Sequence, residues 1–562
     1  MKRYALALLC LSSISAAFAA CSQGPSSSSG SKVTAVPTPA VAGSPATSSP
    51  AAGPSASAGV NCAADPSWLT SPSFPAEVPG GGQSLCAFQQ LAWQDFLALV
   101  QPVAGSPDLV FETWMTKAGV FQPDAYEPNR KVPFAWGTSL PVPQSCAARG
   151  AKPRKGRVMG LIRQGVGGFT DEQQQAGSNT APLVDQKGNW VFYEQLINKT
   201  QYDYLTGCGL FTQSCFDSLG ASPPFGPQGP STIDFPAQSI ELKTSWRVLD
   251  EHDAAAKARY YTVQAFVKPT GPDRPGCTTQ TLGLVGFHIV HKTPDHPESI
   301  WATFAHEDNA PECAAPAAKS PTGQDWTFYD PSCNGTSCPP NLFRNPCGKQ
   351  TCAPCADGSG AGTSCVSTFR CGGDLQQTCE TVGTCPSPTR TSSSNPSDNC
   401  SYCYDATCAK KSVPAQACQA FPVGFARDGK QVSIDGSIEQ LNTAVHALPG
   451  LASVWQHYRL IGTVWFAPPS PVKIKYDEKG KAINPLAGST DLSNVTMETY
   501  NQGLEHSCFA CHNGSFAPHS AAFPQADFSH LFAGMAIAGT GACKANPSYP
   551  GVCPKPAAVR AK

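Results

Sequence analysis

Leu85, Phe88, Leu91, Ala92, Phe96 and Val100 fall three and four residues apart, a spacing that predicts a helix with one apolar face turned toward a sheet. A different period governs the chain near residue 240. There Ile240, Leu242, Thr244, Trp246 and Val248 alternate with Glu241, Lys243, Ser245 and Arg247, the period of two expected of a half-buried antiparallel strand. Tyr260–Val267 and Leu282–Thr293 continue that sheet. An amphipathic segment Ile438–Leu448 and a strand Tyr458–Phe466 rejoin it later. Helices are expected over Leu492–Glu505 and Phe528–Ala536. Across residues 61–310 helix and strand signals alternate irregularly, with no glycine-rich phosphate loop and no repeated βα unit. The fold class is therefore α+β, a mostly antiparallel sheet domain with helices.

Length and charge narrow the picture. With 562 residues the chain holds two or three domains, and 41% hydrophobic content is ample for a core. Charged residues make up 14%, and 39 basic against 40 acidic side chains leave a net charge of -1, so no global field favours nucleic acid. The run Arg149, Lys152, Arg154, Lys155 and Arg157 reads as a solvated loop. Residues 1–20 read as an export signal: Lys2 and Arg3, an apolar run from Tyr4 to Leu11, then small residues ending Ala17-Phe18-Ala19-Ala20. Phe18-Ala19-Ala20-Cys21 resembles a bacterial lipobox, which implies lipidation of Cys21. Plain cleavage after Ala19 fits the small-x-small pattern equally. Residues 22–60, rich in Ser, Pro, Gly and Ala, cannot bury themselves and form a flexible tether. No other stretch reaches the ~18 apolar residues that span a bilayer. Membrane contact is expected through lipid alone, at the cell envelope, on the outer membrane facing periplasm or exterior.

The chain contains 26 cysteines, which in an exported protein point to disulfides. Setting aside Cys10 in the signal, Cys21, Cys508 and Cys511 leaves 22, an even number. Fourteen of these lie in residues 313–418, where apolar periodicity vanishes, so this segment is read as a disulfide-stapled insert between two parts of one domain, 61–312 and 419–488. The pairs Cys352/Cys355 and Cys400/Cys403 have the spacing of zinc half-sites, but the compartment favours disulfides. Cys543 and Cys553 are expected to staple the C-terminal tail.

Residues 507–514 read Ser-Cys-Phe-Ala-Cys-His-Asn-Gly. Two thiols three positions apart on a tight turn can reach the two vinyl groups of a haem, and the following imidazole then lies beneath the iron. The motif predicts one covalent haem c held by Cys508, Cys511 and His512. By composition alone ~0.02 such matches are expected, so chance is a poor explanation. The other two CxxC pairs are followed by Ala356 and Tyr404. Only fifty residues follow His512, too few for a free-standing small cytochrome, so residues 489–562 form a short helical, cytochrome c-like segment that leans on the larger domain. The second iron ligand is open: Met535 is the only methionine after the motif, His530 and His519 are alternatives, and His288 or His291 on the preceding strand are others, with His296 and His306 beyond. In a regular strand His288 and His291 point to opposite faces and cannot share one site.

Several stretches carry a resemblance: Trp93-Gln94-Asp95-Phe96-Leu97-Ala98-Leu99, Glu112-Thr113-Trp114, GLVGFHIVHKTPDHPESIWATFAHEDN from Gly283, SVWQHYRLIGTVW from Ser453, and METYNQ before SCFACH. Together the chain resembles large bacterial cytochrome c family proteins with a single C-terminal haem motif. The resemblance implies an exported haem protein and brings no substrate. One-electron transfer with a redox partner protein or a small-molecule donor or acceptor is the leading expectation. An oxidoreductase with an open iron position acting on peroxide, oxygen or an organic substrate, served by His288, His291 or His306, is a second. A surface-binding role of the Cys-rich insert is a third.

Overall fold

The structure is a computed structural model and describes residues 62–81, 84–142, 158–159, 183–212, 214–215, 233–267, 278–333, 338, 340–341, 414–428, 431–434, 436–466, 486–502, 508–512, 529–532 and 553. Residues 1–20 read as an export signal, Cys21, the expected tether 22–60, the basic run, both zinc-spaced CxxC pairs, His519, Met535 and Cys543 lie outside the described residues.

Alternating apolar and polar positions build one large sheet. Its strands are β1 (Met115–Thr116), β2 (Val158–Met159), β3 (Phe192–Ile197), β4 (Ile240–Leu249), β5 (Thr262–Val267), β6 (Thr278–Thr293), β7 (His296–His306), β10 (Tyr458–Phe466) and β11 (Leu486–Gly488), while β8 (Phe425–Asp428) and β9 (Gln431–Ile434) form a separate hairpin. The order along the main path is β1-β3-β4-β6-β7-β10-β11, antiparallel throughout; β5 pairs with the first half of β6, and β2 joins β5 in parallel. The expected α+β class with a mostly antiparallel sheet is what the described residues form. The register sets side chains in rows across the strands. Glu241, Val290, Trp301 and Val464 stand side by side across β4, β6, β7 and β10, and Lys243, His288 and Thr303 form the adjacent row. Paired residues share a face, so these two rows share one side of the sheet.

The short helices are α1 (Ser67–Thr70), α3 (Lys117–Phe121), α4 (Lys199–Gly207) and α5 (Ala254–Arg259); α2 (Leu85–Leu99) and α6 (Ser437–His446) cover the first face of the sheet, and α7 (Cys508–Cys511) lies on the second. Ser84 caps α2 by accepting the Ala87 N–H at 3.2 Å. The sequence predicts one apolar face for α2, yet Gln89 and Asp95 are buried along with its apolar residues. The reason is packing on two sides, against the sheet through Trp93, Phe96 and Phe304 and against α6. Asn442 of α6 ties this layer together: its Oδ1 accepts Trp93 Nε1–H and the Leu460 N–H, both at 3.0 Å, and its amide donates to the Leu460 carbonyl. Such a buried amide is stable because every partner is satisfied.

The second face is covered by residues 489–502, and here the expected helix Leu492–Glu505 does not form. Among the described residues of that range only Thr499–Asn501 make a single 3₁₀ turn. Asp491, Ser493, Asn494, Thr496 and Thr499 are buried polar residues, and the side chains of Asn494, Thr496 and Thr499 bond to backbone or to the sheet, the behaviour that competes with helix formation. Asn494 donates to Thr303 Oγ1 and the Phe304 carbonyl and accepts from the Thr496 N–H and hydroxyl. Tyr193 Oη donates to the Thr496 carbonyl at 2.6 Å. Of the helix expected over Phe528–Ala536, the described residues 529–532 are not helical, with a turn at 531–532, and the rest lies outside the described residues.

Disulfides close the frame. Cys313–Cys418 sits at the base of the insert, beside a bridge between Glu312 and Gln419, so the chain leaves and re-enters the fold at one place. Cys62–Cys86 ties the N-terminal segment to α2, and Cys333–Cys338 closes a short loop at the start of the insert. Cys553 pairs with Cys208 at the end of α4, so the tail is fastened to the large domain and not to itself.

Gly286 of β6 lets the 489–502 segment approach the sheet: a Cβ there would lie 2.5 Å from Thr496 Oγ1 and 2.6 Å from Ser245 Oγ. Gly286→Ala is expected to destabilise the protein by about 1–3 kcal/mol through overpacking, whereas Gly436→Ala, with nothing within 4 Å, is expected to leave the denaturant midpoint nearly unchanged. Equal midpoints for the two variants would contradict the close approach.

Candidate functional site

The helix α7 is placed by its second residue. Phe509 is buried and packs on Trp301 of β7 and Phe466 of β10, with ring centroids 5.4 and 4.3 Å away. Burying one aromatic side chain against two others fixes a four-residue helix that has no stability of its own. The His512 N–H donates to the Cys508 carbonyl at 2.8 Å, which brings His512 back over the same side of the turn as Cys508. The His512 ring then lies 4.5 Å from the Trp301 ring and stacks on His530 at 4.0 Å with 17° between planes. Cys508 is half-buried and is the one unpaired thiol among the described cysteine side chains. The Cys511 backbone closes the helix; its side chain lies outside the described residues.

A charged cluster sits beside the motif on the same face. His288 Nε2 and Glu498 Oε1 are 3.0 Å apart, and the other oxygen of Glu498 accepts the Asn494 N–H at 2.7 Å. Burial raises the Glu498 pKa, but His288, Lys243 and the Asn494 N–H together outweigh it and hold the carboxyl below its ordinary value. Burial pushes the Cys508 thiol well above its ordinary value, and the Glu498 charge pushes it further. The thiol therefore stays protonated near neutral pH, which slows its reaction with electrophiles.

The remaining histidines separate. His291 is fully buried on the opposite face, with Nδ1 2.8 Å from Asp95 of α2, so the expectation that His288 and His291 face opposite sides holds. Burial raises the Asp95 pKa, partly offset by His291. His296 Nδ1 is 3.1 Å from Glu77 and its ring meets Phe88 of α2 edge-on. His306 stacks on Tyr260 at 3.8 Å; its Nε2 bonds to the Arg259 carbonyl and its Nδ1 accepts the Asp308 N–H, which fixes the tautomer. Burial lowers its pKa, keeping it neutral. Of the expected second-ligand candidates, the described residues bring only His530 against His512. His288 reaches the neighbouring row, and His291 and His306 are held elsewhere.

Trp301, Phe466, Phe509, Glu498 and Lys243 were not singled out by sequence pattern as parts of a site. Trp301 and Phe466 sit in plain alternating strands, where an aromatic reads as core, and Glu498 lies in a segment expected to be helical. The donor set itself suits a haem c: an unpaired thiol at the first motif position, an imidazole four residues on, and an aromatic wall of Trp301, Phe466 and Phe509 beside them. No group of three or more His, Cys, Asp and Glu side chains arranged to hold a metal ion occurs among the described residues, and no described helix is long and apolar enough to cross a membrane. Comparison with known proteins finds no matching family model, no matching curated protein and no matching solved structure.

Two outcomes are expected from the electrostatics. In haem-free protein at about pH 8, Cys508 is expected to alkylate at least about tenfold more slowly than an exposed cysteine, and Glu498→Gln is expected to speed it; peptide mass spectrometry reads both, and equal rates in the two proteins contradict the role of Glu498. Glu498 releases its proton at lower pH in the native state than near its ordinary value of 4.5 in the unfolded chain, so its stabilisation is present above 4.5 and is lost as pH falls through the native pKa. Between about pH 5 and about pH 3 the wild type is expected to lose more stability than Glu498→Gln, checked by denaturant melts at each pH.

Proposed function

We propose that this chain is an exported c-type cytochrome carrying one haem, and that it transfers single electrons at the cell envelope. In this reading the Cys508 and Cys511 thiols bind the haem vinyl groups as thioethers and His512 ligates the iron. The haem supplies reversible one-electron redox chemistry when bound. The observation that carries the proposal is the Cys-Phe-Ala-Cys-His motif seated on the sheet with Cys508 kept out of disulfides in a chain whose other described cysteine side chains are paired.

The chain's own residues do the rest. Phe509, wedged on Trp301 and Phe466, fixes the motif against the large domain, which supplies a buried wall beside it. Trp301 limits the ring orientations open to His512. Glu498, 3.0 Å from His288 and in the field of Lys243, keeps its carboxylate charged beside the motif. The bilayer is reached through a lipid on Cys21 and the 22–60 tether, and the partner is a redox protein or a small-molecule donor or acceptor. The resemblance to large bacterial cytochrome c family proteins supports the same reading.

Made with its own export signal in a bacterium that matures c-type cytochromes, the protein is expected to keep haem stain after denaturation, and Cys511→Ala is expected to lose most of it. Wild-type staining in Cys511→Ala sinks the assignment. The reduced and oxidised spectra are expected to interconvert in a one-electron titration and to ignore cyanide and carbon monoxide. A ligand-induced spectral change in the wild type moves the protein to the oxidoreductase reading.

A further inference from the structure

We infer that His530 is the second axial ligand of the haem iron, a reading that rests on the haem proposal above. Sequence leaves several donors open and puts Met535, the only methionine after the motif, first. Geometry separates them, because His530 alone among the described ones is in ring contact with His512, at 4.0 Å.

That contact is held from both sides. Ser529 Oγ donates to Glu241 Oε2 at 2.7 Å and accepts the Leu531 N–H at 3.0 Å. Glu241 belongs to the same cross-sheet row as Trp301, on which His512 rests, so Ser529 and His512 are seated on one face of one sheet. On the other side of His530, Leu531 and Phe532 are buried in the second core, where Phe532 meets Phe121 at 5.4 Å and Phe235 at 6.2 Å. The Cys208–Cys553 disulfide then fastens the chain beyond to α4. Backbone pinned at 529 and at 531–532 carries His530 on a short leash. The stack shows proximity and not ligation: the two rings would have to part and each turn a nitrogen outward before both could hold one iron.

Two histidines as ligands close the iron to outside molecules and set a lower potential than methionine and histidine would. The inference thus favours electron transfer over ligand chemistry at the same site.

The test starts from haem content of the purified holoprotein, measured on the denatured sample. Absence of covalent haem overturns the haem reading itself and this inference with it; presence of haem isolates the ligand question. The wild type is then expected to be six-coordinate and low-spin by electron paramagnetic resonance, and His530→Ala to become high-spin, to bind carbon monoxide, and to return to a low-spin spectrum on adding imidazole. Met535→Ala is expected to keep the wild-type spectrum. A His530→Ala protein that stays low-spin and ignores carbon monoxide, or a Met535→Ala protein that alone turns high-spin, overturns the inference. Should His530→Ala fail to accumulate, His530→Met decides: a raised potential with an altered low-spin spectrum supports His530, and an unchanged potential and spectrum overturn it.

Discussion

Asn494 is completely buried on the second face of the sheet, and both ends of its amide are engaged, the nitrogen with Thr303 Oγ1 and the Phe304 carbonyl and the oxygen with the Thr496 N–H and hydroxyl. A polar side chain taken out of water in this way is stable only while all its partners are present. Gly286 leaves the room for it, and Tyr193 and Ser245 bond to Thr496 from the neighbouring strands. The consequence reaches the motif. Glu498, four residues after Asn494, takes the Asn494 N–H on one carboxylate oxygen and His288 on the other, and the chain leaves this knot ten residues ahead of Cys508.

The two faces of the sheet therefore do different work. The first buries the apolar bulk, with Trp93 and Phe96 of α2 packed on Phe287 and Phe304 and Asn442 stitching α2, α6 and β10 together. The second is a polar seat on which Asn494, Thr496 and Glu498 settle and beside which Trp301 and Phe466 offer an aromatic patch to Phe509. His288 and His291, three residues apart in one strand, end up serving opposite faces: one pairs with Glu498 beside the motif and the other with Asp95 inside the core. Their shared strand gave no shared site.

Much of the frame is legible in sequence because it obeys periodicity. The strand Tyr458–Phe466 forms as expected, Ile240–Val248 extends by one residue, and α2 begins at Leu85 behind its Ser84 cap. The boundaries of the insert, Cys313 and Cys418, are themselves a disulfide. What pattern could not show depends on contacts between distant segments. Residues 492–502 carry enough apolar residues to look helical, yet the Asn494 and Thr496 side chains find partners on strands some two hundred residues earlier. Asp95 looks like a solvent-facing residue of a one-faced helix until α6 and the sheet enclose it. For the site, the motif residues were readable from spacing, while the wall of Trp301 and Phe466 and the approach of Ser529 to Glu241 were not, since neither leaves a local signal.

In the proposed reading Cys508, Cys511 and His512 hold one covalent haem on this sheet. Intact mass of the exported protein under denaturing conditions tests it most directly, followed by digestion to locate the added mass. The expected result is a polypeptide heavier by one haem, with that mass on the peptide containing residues 508–512. A chain without added mass and two hydrogens lighter on that peptide, the signature of a Cys508–Cys511 disulfide, would contradict it.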